Sequence, residues 1–200
     1  MSTIPQTGAG HGHGTPMRHN TRLSNGLLGV LFFLCTEVAL FGSLIFAYLY
    51  LRGFSAQWPP KGISKLELAL PAVNTLILII SGVWCHYADT AIARGATRRF
   101  MLLLALTIIF GATFLGGQVW EYKHLQTAIS HDIFGATFFT LTGLHGAHVT
   151  LGVIALLIIF ILGLRGRWTR DHHFAVRGVT LYWHFVDVVW VLLFAVFYLV

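Results

Sequence analysis

Glu37, Glu121, His145, His148, His184 and Asp187 are ionisable side chains within long apolar runs or at their ends. Carboxylates and imidazoles are the side chains that exchange protons near neutral pH, ligate metals and bond one helix to another. Glu37 stands out, because it lies eleven residues inside an apolar run that starts at Gly26. At about 1.5 Å per helical residue, that places it near the middle of a hydrocarbon core of roughly 30 Å. A carboxylate there costs about 2.5–3.5 kcal/mol on insertion scales, so something must offset it. His145 and His148 are three apart and share one helix face, as do His184 and Asp187. Three chemistries compete for this set. The polar groups fix helix contacts, with Asp187 paired to a histidine at similar depth, His148 foremost. Glu37 stores or conducts protons. The histidines hold a metal or haem. Haem needs axial ligands on opposite sides of the ring, which two histidines on one helix face do not supply alone. No H-E-x-x-H zinc pattern is present either.

The elements that position these groups follow from composition. Only 10% of the 200 residues are charged, against roughly 25% in soluble domains, so an integral membrane protein is expected. The first apolar run is too long for a signal-peptide core and should remain as a span. The net charge of +6 does not point to nucleic acid, because the basic residues fall in short loops between apolar runs. No internal repeat is visible. Cys35 and Cys85 are expected at different depths, as small core residues without a disulfide. Residues 1–25 read as a disordered polar tail, in which His11, His13 and His19 offer weak metal affinity at most.

The remainder, 26–200, is expected to be one all-α, polytopic bundle of five transmembrane helices at about 26–51, 67–88, 99–120, 134–164 and 179–200. Aromatic residues near the ends read as interfacial belts: Tyr48, Tyr50, Trp84, Tyr87, Trp120, Tyr122, Tyr182 and Trp183. Trp58-Pro59-Pro60 reads as a stiff loop. Nine basic residues fall on one side (Arg18, Arg22, Arg94, Arg98, Arg99, Arg165, Arg167, Arg170, Arg177) and four on the other (Arg52, Lys61, Lys65, Lys123). Positive-inside then puts the N-terminus in the cytoplasm and the C-terminus outside. On that topology Glu37, His145, His148, His184 and Asp187 all fall roughly 8–16 Å from the inner face. Gly111, Gly116, Gly117, Gly143, Gly146 and Gly152 should let helices approach closely. The pair flanking His145 implies that this histidine faces another helix rather than lipid.

The stretch Tyr182-Trp183-His184-Phe185-Val186-Asp187-Val188-Val189-Trp190 resembles the signature of subunit III of haem-copper terminal oxidases. Further matches run in order along the chain. Phe138-Phe139, Thr142-Gly143, His145-Gly146 and His148-Val149 resemble F-F-x-x-T-G-x-H-G-x-H-V. Gln118 with Glu121-Tyr122 resembles Q-x-x-E-Y. Pro71, Asn74-Thr75 and Ser81-Gly82 resemble the family's P-x-x-N-T and S-G pattern, and Gly29 and Glu37 keep its glycine-to-carboxylate spacing. The resemblance covers nearly everything after residue 25, in the five-span form that lacks the first two helices of the longest members. It departs in two other places. Arg177 stands where the family often has glutamate after His173-Phe174, and the acidic residue before the fourth span is shifted, with His131 in its place and Asp132 following.

The resemblance implies a non-redox accessory subunit of a proton-pumping terminal oxidase of the bacterial plasma membrane, in a complex that reduces oxygen to water. It implies no catalytic residue, cofactor or metal in this chain, with haems and copper in partner subunits. The implied partners are subunit I directly, subunit II and other respiratory subunits, and bound phospholipid, with no nucleic acid. The implied role is to stabilise subunit I and support proton uptake, with Glu37, His145, His148, His184, Asp187 and Glu121 as proton-related or structural residues. The electron donor, cytochrome c or a quinol, stays open. So do the nitric oxide reductase accessory subunit and, from other classes, a stand-alone proton-coupled transporter with Glu37 as its site and a haem-binding membrane cytochrome. Topology is testable directly. Single cysteines replacing Arg94 and Arg167 should label from the cytoplasmic side and one replacing Lys61 from outside; the reverse pattern would invert the orientation.

Overall fold

The computed structural model describes residues 25–58, 68–124, 133–169 and 173–199. The expected tail, Pro59-Pro60, Lys61, Lys65, His131 and Asp132 lie outside the described residues. Five helices run in chain order: α1 Asn25–Gly53, α2 Ala69–Ala93, α3 Thr97–His124, α4 Ile133–Leu164 and α5 Phe174–Phe194, which continues into a π-helical turn, Ala195–Leu199. All are long and apolar enough to cross a membrane, and no strand occurs among the described residues. Helices prevail because lipid offers no partner to a free backbone group.

The helices outrun the apolar runs. α2 continues five residues past the expected end at 88, and α5 starts five before 179. Each extension carries a charged residue, Asp89 or Arg177, beside buried apolar ones, Ala91 and Ile92 in α2 and Val176 in α5. α2 stops at a glycine. Gly95 has φ 76°, its N–H reaches the Ile92 carbonyl at 2.9 Å, and the Ala96 N–H reaches Ala91 at 2.9 Å. That is a Schellman cap, which needs a residue in the left-handed region. α4 ends the same way at Gly166, with φ 68°.

The tight α2–α3 connection makes those two helices a closely packed antiparallel hairpin. α4 packs on α3, and α5 lies against α2 and α4 together. Two tryptophans, seven residues apart on one face of α5, join it to α2. The Trp183 indole N–H donates to the Ser81 hydroxyl at 3.1 Å, and that of Trp190 to the Thr75 hydroxyl at 2.9 Å. Each hydroxyl in turn donates to a carbonyl of its own helix. Trp183 is fully buried and fits only because two neighbours lack side chains. A Cβ on Gly111 of α3 would come within 2.6 Å of its ring, and one on Gly152 of α4 within 2.8 Å. Gly117 likewise makes room for the Asn74 amide. Gly116 faces open space, so it does not serve the expected packing role, and Gly143 has only the Tyr122 hydroxyl near it, at 3.9 Å.

The belt reading of the aromatics holds for some residues and fails for others. Tyr50, Tyr87 and Trp120 are exposed. Tyr48 and Trp183 are buried instead, because each indole or phenol finds a polar partner inside: the Trp58 N–H donates to Tyr48, and Trp183 donates to Ser81. Cys85 is buried, but Cys35 is exposed on the outward side of α1 and is not a core residue. α1 is the outlier of the bundle. It packs mainly on α4 and α5, through a stripe of Leu34, Phe41 and Tyr48 at seven-residue spacing.

The glycine contacts predict a contrast. Gly111→Val should lower thermal stability in detergent, by roughly 1–3 kcal/mol for overpacking a tight site. Gly116→Val should leave it near wild type. Equal melting temperatures for the two variants would contradict the wedge around Trp183.

Candidate functional site

α1 carries Glu37 on the same side as its buried stripe, and α4 brings His148 up to it. Glu37 Oε2 and His148 Nε2 are 3.0 Å apart, with side chains 14% and 11% exposed. The other imidazole nitrogen, Nδ1, lies 2.8 Å from the Leu144 carbonyl. A carbonyl only accepts, so Nδ1 carries a hydrogen. Nε2 then has two options. It accepts from a protonated Glu37, or it donates as an imidazolium to a carboxylate. Both place one proton between Nε2 and Oε2, and in both the pair is neutral as a whole. Neutrality is what a low-dielectric setting favours. Phe41 lies edge-on to the imidazole with centroids 5.1 Å apart, and the Tyr182 hydroxyl donates to the His148 carbonyl at 3.1 Å. The pair thus joins α1 to α4, and Tyr182 ties α5 to the same turn.

This overturns the expected partner of Asp187. His148 is taken by Glu37, on the side of α4 that faces α1. Asp187 faces α2 instead, where Gly82 leaves room for its carboxylate. Its partner is His184, one turn earlier on α5, with Nδ1 to Oδ2 at 3.8 Å. That is longer than a hydrogen bond. Asp187 Oδ1 is buried and has no hydrogen-bond partner among the described residues. His184, Asp187, Gly82 and His86 line one cavity of about 610 Å³ between α2 and α5, otherwise walled by apolar side chains.

The remaining residues stand apart from both pairs. His145 is completely buried, stacked on Trp190 with centroids 5.0 Å apart and edge-on to Phe114 at 5.8 Å. It faces other helices as expected, and neither ring nitrogen has a partner among the described residues. Glu121 accepts from the Tyr198 hydroxyl at 2.6 Å, which pins the π-helical end of α5 to α3. Next to it, Gln118 donates to the Thr142 carbonyl at 2.9 Å, and the Tyr122 and Thr142 hydroxyls lie 2.7 Å apart, joining α3 to α4. Arg177 lines a cavity of about 280 Å³ together with Asp89 and His86.

The five groups expected at similar depth therefore form three separate sites, Glu37–His148, His184–Asp187 and His145, and Glu121 forms a fourth. Among the described residues, no three His, Cys, Asp or Glu side chains come together where they could hold a metal ion. What the arrangement can do chemically is hold one proton at Glu37–His148 and fix helix pairs elsewhere. Reasoning from sequence missed Tyr182, Tyr198 and the Trp183–Ser81 and Trp190–Thr75 bonds. The seven-residue spacing of Trp183 and Trp190, with Thr75 and Ser81 six residues apart on the second span, was the available signal.

Comparison with known proteins bears on this geometry as a whole. Residues 11–200 match the family profile described as cytochrome c oxidase subunit III. The chain is 42% identical over 174 residues to cytochrome c oxidase subunit 3 of Thermostichus vulcanus, covering 86% of each chain. It is 39% identical over 191 residues to that of Synechocystis sp., covering 95% of this chain and 80% of the relative. To the protein of Mammuthus primigenius it is 35% identical over 202 residues, covering 98% of this chain and 76% of the relative. The profile match spans all five helices, and the chain belongs to the cytochrome c oxidase subunit III family.

Proposed function

We propose that this multi-pass chain is the non-redox accessory subunit III of a proton-pumping haem-copper oxidase of the cytochrome c oxidase type, set in a bacterial plasma membrane. The haems and copper reside in partner subunits, and subunit I is its direct neighbour. It stabilises that neighbour, holds phospholipid and supports proton uptake. Its N-terminus is cytoplasmic and its C-terminus outside. Family membership supports the oxidase role. The single observation that carries the accessory reading is the use made of the buried polar side chains. Ser81, Thr75, Gln118, Thr142, Glu121 and Glu37 each bond across a helix pair. A transporter would instead gather such groups at broken half-helices around a substrate.

Affinity purification of the tagged chain in mild detergent tests this reading. The eluate should contain a larger, haem-bearing subunit with a reduced-minus-oxidised absorbance spectrum. A solitary chain that moves solute across reconstituted vesicles would end the oxidase reading.

The proton at Glu37–His148 gives a sharper expectation. In Glu37→Gln the side-chain amide donates to Nε2, so the bond and the neutral charge persist. Assembly and the partner's haem spectrum should match wild type, while proton-pumping yield or working lifetime during turnover falls. Glu37→Ala leaves Nε2 without a partner, at a cost on the order of 1–3 kcal/mol, and should lower the amount of subunit retained. Wild-type pumping and lifetime in Glu37→Gln, together with poor retention of Glu37→Ala, would assign the pair to packing alone.

A further inference from the structure

The short turn between α2 and α3 builds a cavity separate from the polar sites described above. A cavity of about 660 Å³ opens there, lined by Arg94 at the end of α2 and by Arg98 and Arg99 in the first turn of α3. The rest of its lining is mostly apolar, Ala91, Ala96, Leu102 and Leu103, together with Tyr87 and Thr90. Three features single this place out. The guanidinium groups are concentrated and uncompensated, since none of the three pairs with a carboxylate among the described residues. The nearest acidic residue on α2, Asp89, lines a different cavity on the α5 side. Second, the first turn of the 28-residue α3 holds no acidic residue. The partial positive charge of a helix N-terminus, equivalent to roughly half an elementary charge, therefore adds to the arginines instead of being offset. Third, the polar and apolar parts are ordered. Arginines sit at the ends of two spans, at headgroup level, and the leucine wall leads from them onto the lipid-facing side of α3, where Leu102 is 62% exposed.

We propose that this cavity binds a phosphate-bearing anion, and that its source is an anionic phospholipid of the surrounding leaflet. Arg94, Arg98 and Arg99 hold the phosphate, for which the planar guanidinium has matching donors. Ala96 forms the floor, and Leu102 and Leu103 take the start of an acyl chain. Free phosphate shares the charge but has nothing to place on the leucine wall. Basic pockets at the ends of membrane helices bind lipid head groups in this way. The proposal gives one location to the phospholipid named above; it rests on the membrane-spanning reading of α2 and α3 and not on the choice of partner subunit.

The test uses the full chain in its purified complex, exchanged into phosphatidylcholine nanodiscs that contain a minor fraction of phosphatidylglycerol. Retained lipid is read by native mass spectrometry after release into detergent. Wild type should retain phosphatidylglycerol over phosphatidylcholine. Arg94→Gln, Arg98→Gln and Arg99→Gln combined should reduce that retention on the order of a hundredfold. Removing basic residues also disturbs topology, so Ala96→Phe provides a second arm: it fills the cavity and keeps every charge, and it too should lose phosphatidylglycerol. Undiminished retention in Ala96→Phe would overturn the site. Equal retention of the two lipids by wild type would overturn the anionic ligand. Displacement of phosphatidylglycerol by inorganic phosphate alone would overturn the lipid as its source. Selective retention by a chain that brings no haem-bearing partner would defeat the oxidase reading and leave this one standing.

Discussion

The Trp183 indole is the contact on which the bundle depends. Four helices meet at it: its own α5, Ser81 of α2, Gly111 of α3 and Gly152 of α4. In water, apolar side chains drive helices together. Lipid removes that force, because a leucine is as comfortable against an acyl chain as against another leucine. What remains is close packing, which needs small residues, and hydrogen bonds, which need polar ones. Trp183 uses both at once. Its ring occupies space that two glycines leave, and its N–H meets a hydroxyl that would otherwise face hydrocarbon. Trp190 repeats the bond seven residues on, against Thr75 and with His145 stacked on its face.

α1 shows the alternative. It has no tryptophan anchor and buries only Leu34, Phe41 and Tyr48 fully among its large apolar side chains, while Phe32, Val38 and Phe46 point outward. Its attachment relies on the Glu37–His148 pair and on the contacts of Tyr48 with Trp58 and Phe197. A carboxyl group at mid-depth is therefore also an alignment device. A rotation of α1 that exposed Glu37 to lipid would restore its insertion cost of about 2.5–3.5 kcal/mol, whereas sliding leucines past leucines costs little. Polar pairs as specifiers of register are a documented device in helical assemblies.

That contrast explains what was legible in the sequence. The five spans were readable because twenty apolar residues in succession have one structural solution in lipid. Their ends were readable only to within about five residues, because the charged residues Asp89 and Arg177 were read as span limits while the helices run on past them, α2 as far as the cap at Gly95. Which face of each helix points inward was not readable from hydrophobicity, since both faces are apolar; α4 has large apolar residues all round. Only polar and small residues carry direction, and these identified His145 as inward. They failed at Trp183 and Tyr48, where an aromatic with a polar tip fits an interface and a satisfied core equally well. Depth alone could not tell that His148 belongs to Glu37 and not to Asp187, because depth says nothing about which side of α4 faces which neighbour.

The separation of the polar groups also bears on what the chain can do. A proton route requires groups in succession, each within hydrogen-bond reach of the next or of a bridging water. Glu37–His148 lies between α1 and α4, while His184, Asp187 and His86 line a cavity between α2 and α5. Phe41 packs edge-on against His148, and among the described residues no hydrogen bond joins the two groups. Any part Glu37 plays in proton uptake must run along the face of α1, where the side chain keeps its 14% exposure, toward whatever protein or lipid covers that helix. The proton between Oε2 and Nε2 is shared within this chain, and the pair that carries it sits at the edge of the bundle, where α1 meets α4.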